Sequence, residues 1–245
     1  MGPTLKTTLV DLLFPPLCVS CREPLGAGHG FCADCWNKIA FLDGPMCDCC
    51  GLQFAFDPGE GTRCAACLAR PPAFDRARAI FAYDENSRAP ILALKHADRL
   101  DLVPGFAHWL ERTGAALLNG SDLIVPVPLH RRRLWQRRYN QAAELARVLG
   151  QRTSKAVSVQ ALERTRPTES QGAMASAGGR RRNVQGAFQV PEPGRVADRS
   201  VLLVDDVLTT GATAEACARA LKRAGAARVQ ILALARVVKA SDALI

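Results

Sequence analysis

A chain of 245 residues, 48% of them hydrophobic, is long enough for one large or two modest packed domains, which argues against a disordered or low-complexity protein. Its 32 Lys+Arg against 23 Asp+Glu give a formal net charge of +9, so polyanions are the expected ligands, with a merely solvated basic surface as the plain alternative. No apolar run reaches the roughly 18 residues of a membrane helix, and the opening MGPTLKTTLVDLLFPPL, broken by Lys6, Asp11 and Pro15, lacks a small-residue cleavage site; neither membrane insertion nor secretion is expected, and a cytoplasmic location is.

Taken in chain order, the first feature is cysteine. Nine of the ten cysteines fall between Cys18 and Cys67, and the composition changes abruptly at Arg70, Pro71 and Pro72. The expected organisation is therefore a zinc-ribbon domain over residues 1–72, a second domain over 73–240 and a tail over 241–245. Cys18-x-x-Cys21 and Cys32-x-x-Cys35 form one pair of knuckles, and Cys47-x-x-Cys50 with Cys64-x-x-Cys67 forms another. Two intervening residues let both thiolates of a knuckle face one tetrahedral ion at about 2.3 Å, and a second knuckle closes the site, as structural rather than catalytic zinc requires. Binding energy on the order of 10 kcal/mol per ion would offset the thin apolar core of this part. Spacers of 10 and 13 residues favour sequential pairing over a cross-braced arrangement, and Cys49 is read as a non-ligand. Iron-sulfur ligation and redox disulfides are the alternatives.

The remainder alternates strand and helix. Residues 78–83 pattern as a strand, 90–97 and 103–118 as helix, 123–127 as strand and 139–149 as helix. Residues 186–190 suit a short strand, 201–204 a buried one, 213–224 an amphipathic helix and 229–237 a last buried strand. Uninterrupted apolar strands between helices predict an α/β fold, a mostly parallel sheet flanked by helices. Trp36, Trp109 and Cys217 are assigned to packing, and His96 and His108 are given no role.

Residues 201–213, VLLVDDVLTTGAT, carry the sharpest signal. An apolar strand delivers Asp205 and Asp206 to its carboxyl end, where open parallel sheets bind ligands. Thr209, Thr210, Gly211, Ala212 and Thr213 then enter a helix, so that hydroxyls and amides converge as a phosphate requires. The two carboxylates can accept hydrogen bonds from adjacent ribose hydroxyls and help hold a Mg²⁺ ion. A turn-capping Asp-Asp pair, or a phosphoacceptor sheet, is the structural alternative.

This segment resembles the phosphoribosyl pyrophosphate (PRPP) signature of type I phosphoribosyltransferases. Further stretches narrow the resemblance to the ComF family, the competence protein F or GntX-like group: the double zinc ribbon, Leu94-Lys95-His96, PVPLH at 126–130 preceded by Val125, YNQAAELA at 139–146 and the basic run from Arg180 to Phe188. Where the family has Arg-Gly-Phe-Asn-Gln, this chain has Arg137-Arg138-Tyr139-Asn140-Gln141. The resemblance implies a glycosyltransferase-type transfer of a pentosyl group. Asp205 and Asp206 would serve as catalytic and ribose-binding acids, residues 209–213 would bind the 5-phosphate, and Lys95 would lie in the pyrophosphate-contacting loop. Arg131, Arg133, Arg137 and Arg138 would belong to a mobile loop over pyrophosphate. Arg132, Trp135 and Tyr139 extend that basic stretch, whose aromatics suit stacking of single-stranded DNA. The family's association with competence implies a second reading, a non-catalytic PRPP sensor that binds single-stranded DNA, with DNA-uptake proteins as partners. Arg180, Arg181, Arg182, Asn183 and Gln171 are read either as part of a hood over the acceptor or as a surface loop. The acceptor itself is not legible.

Overall fold

The computed structural model describes residues 15–26, 30–96, 99–167 and 177–238. The opening segment up to residue 14, Gln171, the side chains of His96, Arg180 and Arg181, and the tail 241–245 lie outside the described residues.

The elements in chain order are the short helices α1 (Ala33–Trp36) and α2 (Ala65–Ala69), strand β1 (Arg76–Ala82) and helices α3 (Glu85–His96), α4 (Val103–Thr113) and α5 (Ala115–Asn119). Strand β2 (Leu123–Pro126), helices α6 (Arg131–Arg137) and α7 (Gln141–Thr153) and strands β3 (Ala156–Val157) and β4 (Glu163–Arg164) follow. Helix α8 (Ala177–Val184), strands β5 (Phe188–Gln189) and β6 (Ser200–Leu208), helix α9 (Ala212–Arg223) and strand β7 (Arg228–Arg236) complete the chain. Five strands form one parallel sheet in the order β1-β7-β6-β2-β3, while β4 and β5 pair antiparallel as a separate ribbon.

The central strands are covered on both faces, which is why they read as unbroken apolar runs. Val201 and Leu203 of β6 face one core with Cys217 and Leu221 of α9, whereas Leu202 and Val204 face the other with Phe106 of α4 and Leu145 of α7. The helical pattern over 103–118 divides at Gly114 into α4 and α5. A Cβ at Gly114 would stand 2.4 Å from a methyl of Leu232, so the break is also a place where helix and sheet approach closely.

The amino-terminal part sits on the sheet edge. Leu42 N donates to Ile80 O at 2.9 Å, Ala82 N to Ala40 O at 2.8 Å and Ala77 N to Cys49 O at 2.7 Å, so the free side of β1 is hydrogen-bonded rather than left open. Arg76 and Arg78 of β1 both pair with Asp48, and the Arg76 hydrogen bond, opposed by burial, holds that carboxyl below its ordinary range. Gly51 turns this knuckle at φ +69°, and a Cβ there would lie 2.5 Å from Ala77 O, so only glycine permits the approach. Cys47, Cys50, Cys64 and Cys67 are buried in the same core as Ala77, Val201 and Cys217. On the opposite face Phe31 stacks on Trp109 at 5.0 Å and Trp36 packs on Phe41 at 4.5 Å, giving both tryptophans the packing role expected of them.

Candidate functional site

The predicted strand 201–204 runs on to Leu208. Its pairing with β2 ends at Pro126–Val204, whereas its pairing with β7 continues to Leu208–Arg236. Beyond Val204 the β2 side of β6 is therefore open, and there the strand presents Asp205 and Asp206 to a cavity of about 430 Å³. Thr209, Gly211 and Thr213 line its far wall, with Lys95, Arg133, Arg137, Gln141 and Arg164 around the rest.

Asp206 is buried and held from two sides. Lys95 Nζ lies 3.0 Å from Oδ1, and Gln141 Nε2 donates to Oδ2 at 2.5 Å. Gln141 is buried at the first position of α7, and its Oε1 has no hydrogen-bond partner among the described residues. Asp205 accepts the Asp206 amide at 2.8 Å. Burial, reinforced by the Asp206 charge, pushes its carboxyl up to about 7, against the opposing pull of that amide, Lys95 and Arg164. The two acids thus differ: Asp206 is tied to the protein, while Asp205 is poised to gain a hydrogen-bonding or cationic ligand.

The turn after them is built as a phosphate cradle needs. Gly211 takes φ +73° and caps α9, bringing the amides at the helix start round to the cavity. Ala212 is buried, so it can offer only backbone. Thr210 Oγ1 is buried without a hydrogen-bond partner among the described residues, a donor held ready beside the turn.

Lys95 lies on the last turn of α3 rather than in a loop. The predicted mobile arginine loop is likewise a helix, α6. His130 caps it, Nδ1 accepting from Arg132 N at 3.2 Å, and residues 131–137 contain no glycine or proline to interrupt it. Helical spacing then divides the arginines: Arg133 and Arg137, four apart, face the cavity, whereas Arg131, Leu134 and Arg138 line a groove on the other side. Trp135 is 88% exposed on this helix. Tyr139, by contrast, is half-buried and its hydroxyl donates to Leu94 O, which ties the entry of α7 to the end of α3. Arg138, standing where the resembling family has glycine, adopts φ +65° and ends α6 in the left-handed conformation.

Arg164 and Gln141 were not singled out from sequence. Arg164 reaches the cavity from β4, its guanidinium 5.3 Å above the Phe188 ring of β5, and burial, then nearby Arg133, lowers its pKa. Only the antiparallel pairing of two two-residue strands brings it there, and strands so short leave no periodic trace.

In each cysteine set, Cys18, Cys21, Cys32, Cys35 and Cys47, Cys50, Cys64, Cys67, all four sulfurs lie within 4.8 Å of one another. The Cys21–Cys32 and Cys50–Cys64 sulfurs are 3.6 and 3.7 Å apart, close to the roughly 3.8 Å edge of a tetrahedron with 2.3 Å metal–sulfur bonds. Backbone amides donate to Cys18 Sγ from Cys32 at 3.2 Å and to Cys47 Sγ from Cys64 at 3.2 Å, favouring the thiolate form that a metal needs. The Cys50 thiol, with the backbone amides of Cys50, Cys64 and Cys49, draws Cys47 down to about 4 against burial. The donor sets fit two structural zinc ions, paired sequentially, with Cys49 outside both.

Comparison with known proteins agrees with this architecture. The double zinc ribbon domain family matches residues 9–68, and the phosphoribosyl transferase domain family matches residues 140–242. DNA utilization protein YhgH of Escherichia coli O157:H7 is 35% identical over 236 residues, covering 93% of this chain and all of that protein. Competence protein F of Haemophilus influenzae is 30% identical over 234 residues, covering 89% of this chain and 96% of that protein. The chain belongs to the ComF/YhgH family. Among solved structures, the allosteric regulatory enzyme of purine biosynthesis aligns at a TM-score of 0.41 and 16% identity, over 58% of this chain and 30% of that one. As a ComF/YhgH protein the chain carries a zinc-ribbon part and a phosphoribosyltransferase-type sheet, and no helix among the described residues is long and apolar enough to cross a membrane.

Proposed function

We propose that the cavity binds PRPP with Mg²⁺ and transfers its phosphoribosyl group to an acceptor. What carries the reading is the convergence, on one cavity, of Asp205, the turn at Thr209, Gly211 and Thr213, and the cations Lys95, Arg133, Arg137 and Arg164. The 5-phosphate is assigned to the turn and the ribose hydroxyls to Asp205, with Asp206 holding Lys95 and Gln141 in place. Arg133 and Arg137 offer guanidinium forks for the leaving pyrophosphate, a planar fit that disperses its charge. Asp205, a hard oxygen donor beside the phosphate-binding groups, fits a Mg²⁺ ion, which would neutralise pyrophosphate charge when bound. Titration calorimetry with PRPP and Mg²⁺ tests binding, with Asp205→Asn and Thr209→Val expected to weaken it about tenfold. Pyrophosphate release in the presence of a panel of acceptors separates transfer from binding alone.

A second reading is favoured by α6: an 88% exposed Trp135 stands between Arg131, Arg132 and Arg138, the combination that stacks and neutralises single-stranded nucleic acid. The names of two relatives, DNA utilization protein and competence protein, agree with a role in DNA uptake. Replacing Trp135 with Ala together with Arg131 and Arg132 should weaken binding of labelled single strands and flatten its salt dependence. An unchanged salt slope removes this reading.

A further inference from the structure

Behind the phosphate turn, between it and the second cysteine set, lies a cavity of about 260 Å³. Cys50, Cys67 and Arg70 bound it on one side, and Thr209, Thr210 and Gly211 on the other. Arg236 lines the same space. It is the last residue of β7 and sits opposite Leu208, the residue that leads into the turn; one residue on, Val237 N donates to Leu208 O at 2.8 Å. From that position Arg236 reaches the metal-ligand set. Its Nη1 donates to Cys50 O at 2.5 Å, and its Nη2 lies 3.7 Å from Cys50 Sγ. Its backbone is thus laddered to the strand that enters the turn, while its side chain holds a cysteine of the buried set at both carbonyl and sulfur.

We propose that Arg236 is a positioning residue that links zinc retention at Cys47, Cys50, Cys64 and Cys67 to ligand binding at the turn of residues 209–213. The proposal rests on the reading of that turn as a phosphoribosyl site and extends it. A guanidinium N–H directed at a metal-bound thiolate offsets its charge and fixes the orientation of the ligand residue. With zinc in place, Cys50 is fixed, so Arg236 and the Leu208 end of β6 are fixed with it, and the turn starts from a defined backbone. With zinc lost, the acceptors of Arg236 move and the turn loses that anchor. The coupling runs equally in the other direction, because an effect of one site on the affinity of another is reciprocal. The hydrogen bonds of Arg236 reach Cys50 and not the first cysteine set, which makes the first set an internal control.

The test uses the zinc-loaded full-length chain as wild type, Arg236→Met and Arg236→Lys. Zinc loss to a chromogenic chelator is followed with and without PRPP and Mg²⁺, PRPP affinity is measured in parallel, and far-ultraviolet circular dichroism checks the fold. Arg236→Met is expected to lose one of the two zinc equivalents about tenfold faster, the usual size of an outer-shell effect, with the other equivalent unchanged. PRPP should slow the loss of that same equivalent in the wild type and not in Arg236→Met, whose PRPP affinity should fall severalfold; Arg236→Lys should recover part of both. Equal zinc loss in wild type and Arg236→Met overturns the proposal, as does faster loss of both equivalents together with loss of helical signal. PRPP bound equally well by both proteins without protecting zinc sinks the linkage alone. No PRPP binding by the wild type sinks the reading of the turn, and the linkage with it, while the ligand-free measurement still decides whether Arg236 holds the metal site.

Discussion

Lys95 Nζ stands 3.0 Å from Asp206 Oδ1, so a helix that precedes β6 by more than a hundred residues in sequence supplies the counter-charge for an acid on that central strand. Gln141 completes the grip on Asp206, while the neighbouring Asp205, which lines the same cavity, accepts the Asp206 amide.

Both members of this ion pair are largely buried, with side-chain exposures of 18% and 9%. Lys95→Met should therefore lower unfolding stability by about 3 kcal/mol, mostly from the orphaned Asp206 charge. Urea denaturation checks this. The double variant Lys95→Met/Asp206→Asn should regain part of the loss, and an additive double variant would show that the charges do not interact.

Asp205 supplies a pH signature. Its carboxyl is raised from 3.8 to about 7, first by burial and then by Asp206, so the folded chain holds this proton more tightly than the unfolded chain. Its contribution to stability is complete below about pH 4 and is lost as pH rises through about 7. Asp205→Asn should accordingly gain on the wild type in denaturation midpoint between about pH 4 and about pH 7. A difference between the two proteins that does not change with pH counts against the burial of Asp205 beside the charged Asp206.

Arg138 carries local strain, with φ +65° at the end of α6. Left-handed backbone costs a residue with a side chain about 1 kcal/mol, and glycine adopts it freely. Arg138→Gly should raise stability by about 0.5–1 kcal/mol, read as a higher thermal midpoint. A drop instead would mean that the arginine side chain contributes more than its backbone costs.

Much was legible from local pattern alone. The sheet strands declare themselves as apolar runs because both faces of a parallel sheet are covered, and β6 and β7 emerge within a few residues of their sequence-predicted spans. The four Cys-x-x-Cys knuckles carry their chemistry in their spacing, and the sulfurs gather in the expected sets. The arginine run was harder to read. The family resemblance implies a loop there, whereas helix propensity and a histidine cap make it α6, and the resulting 3.6-residue period sends Arg133 and Arg137 one way and Arg131 and Arg138 the other. The substitutions of Arg138 and Tyr139 for the family's glycine and phenylalanine also acquire a meaning only in three dimensions, one as a strained helix end and the other as a hydroxyl bonded to Leu94 O.

By itself the sequence determined where the recognisable centres lie and which donor groups they hold, because adjacent acids, a threonine-glycine turn and paired thiolates are encoded within a few consecutive residues. Tertiary structure alone decided that Asp206 is the acid held by Lys95 and Gln141, that Gln141 and Arg164 reach the cavity, and that Arg236 joins the second cysteine set to the strand that enters the turn of residues 209–213. Those relationships depend on strand order and edge pairing, which bring together residues up to 186 positions apart, and no local pattern records them.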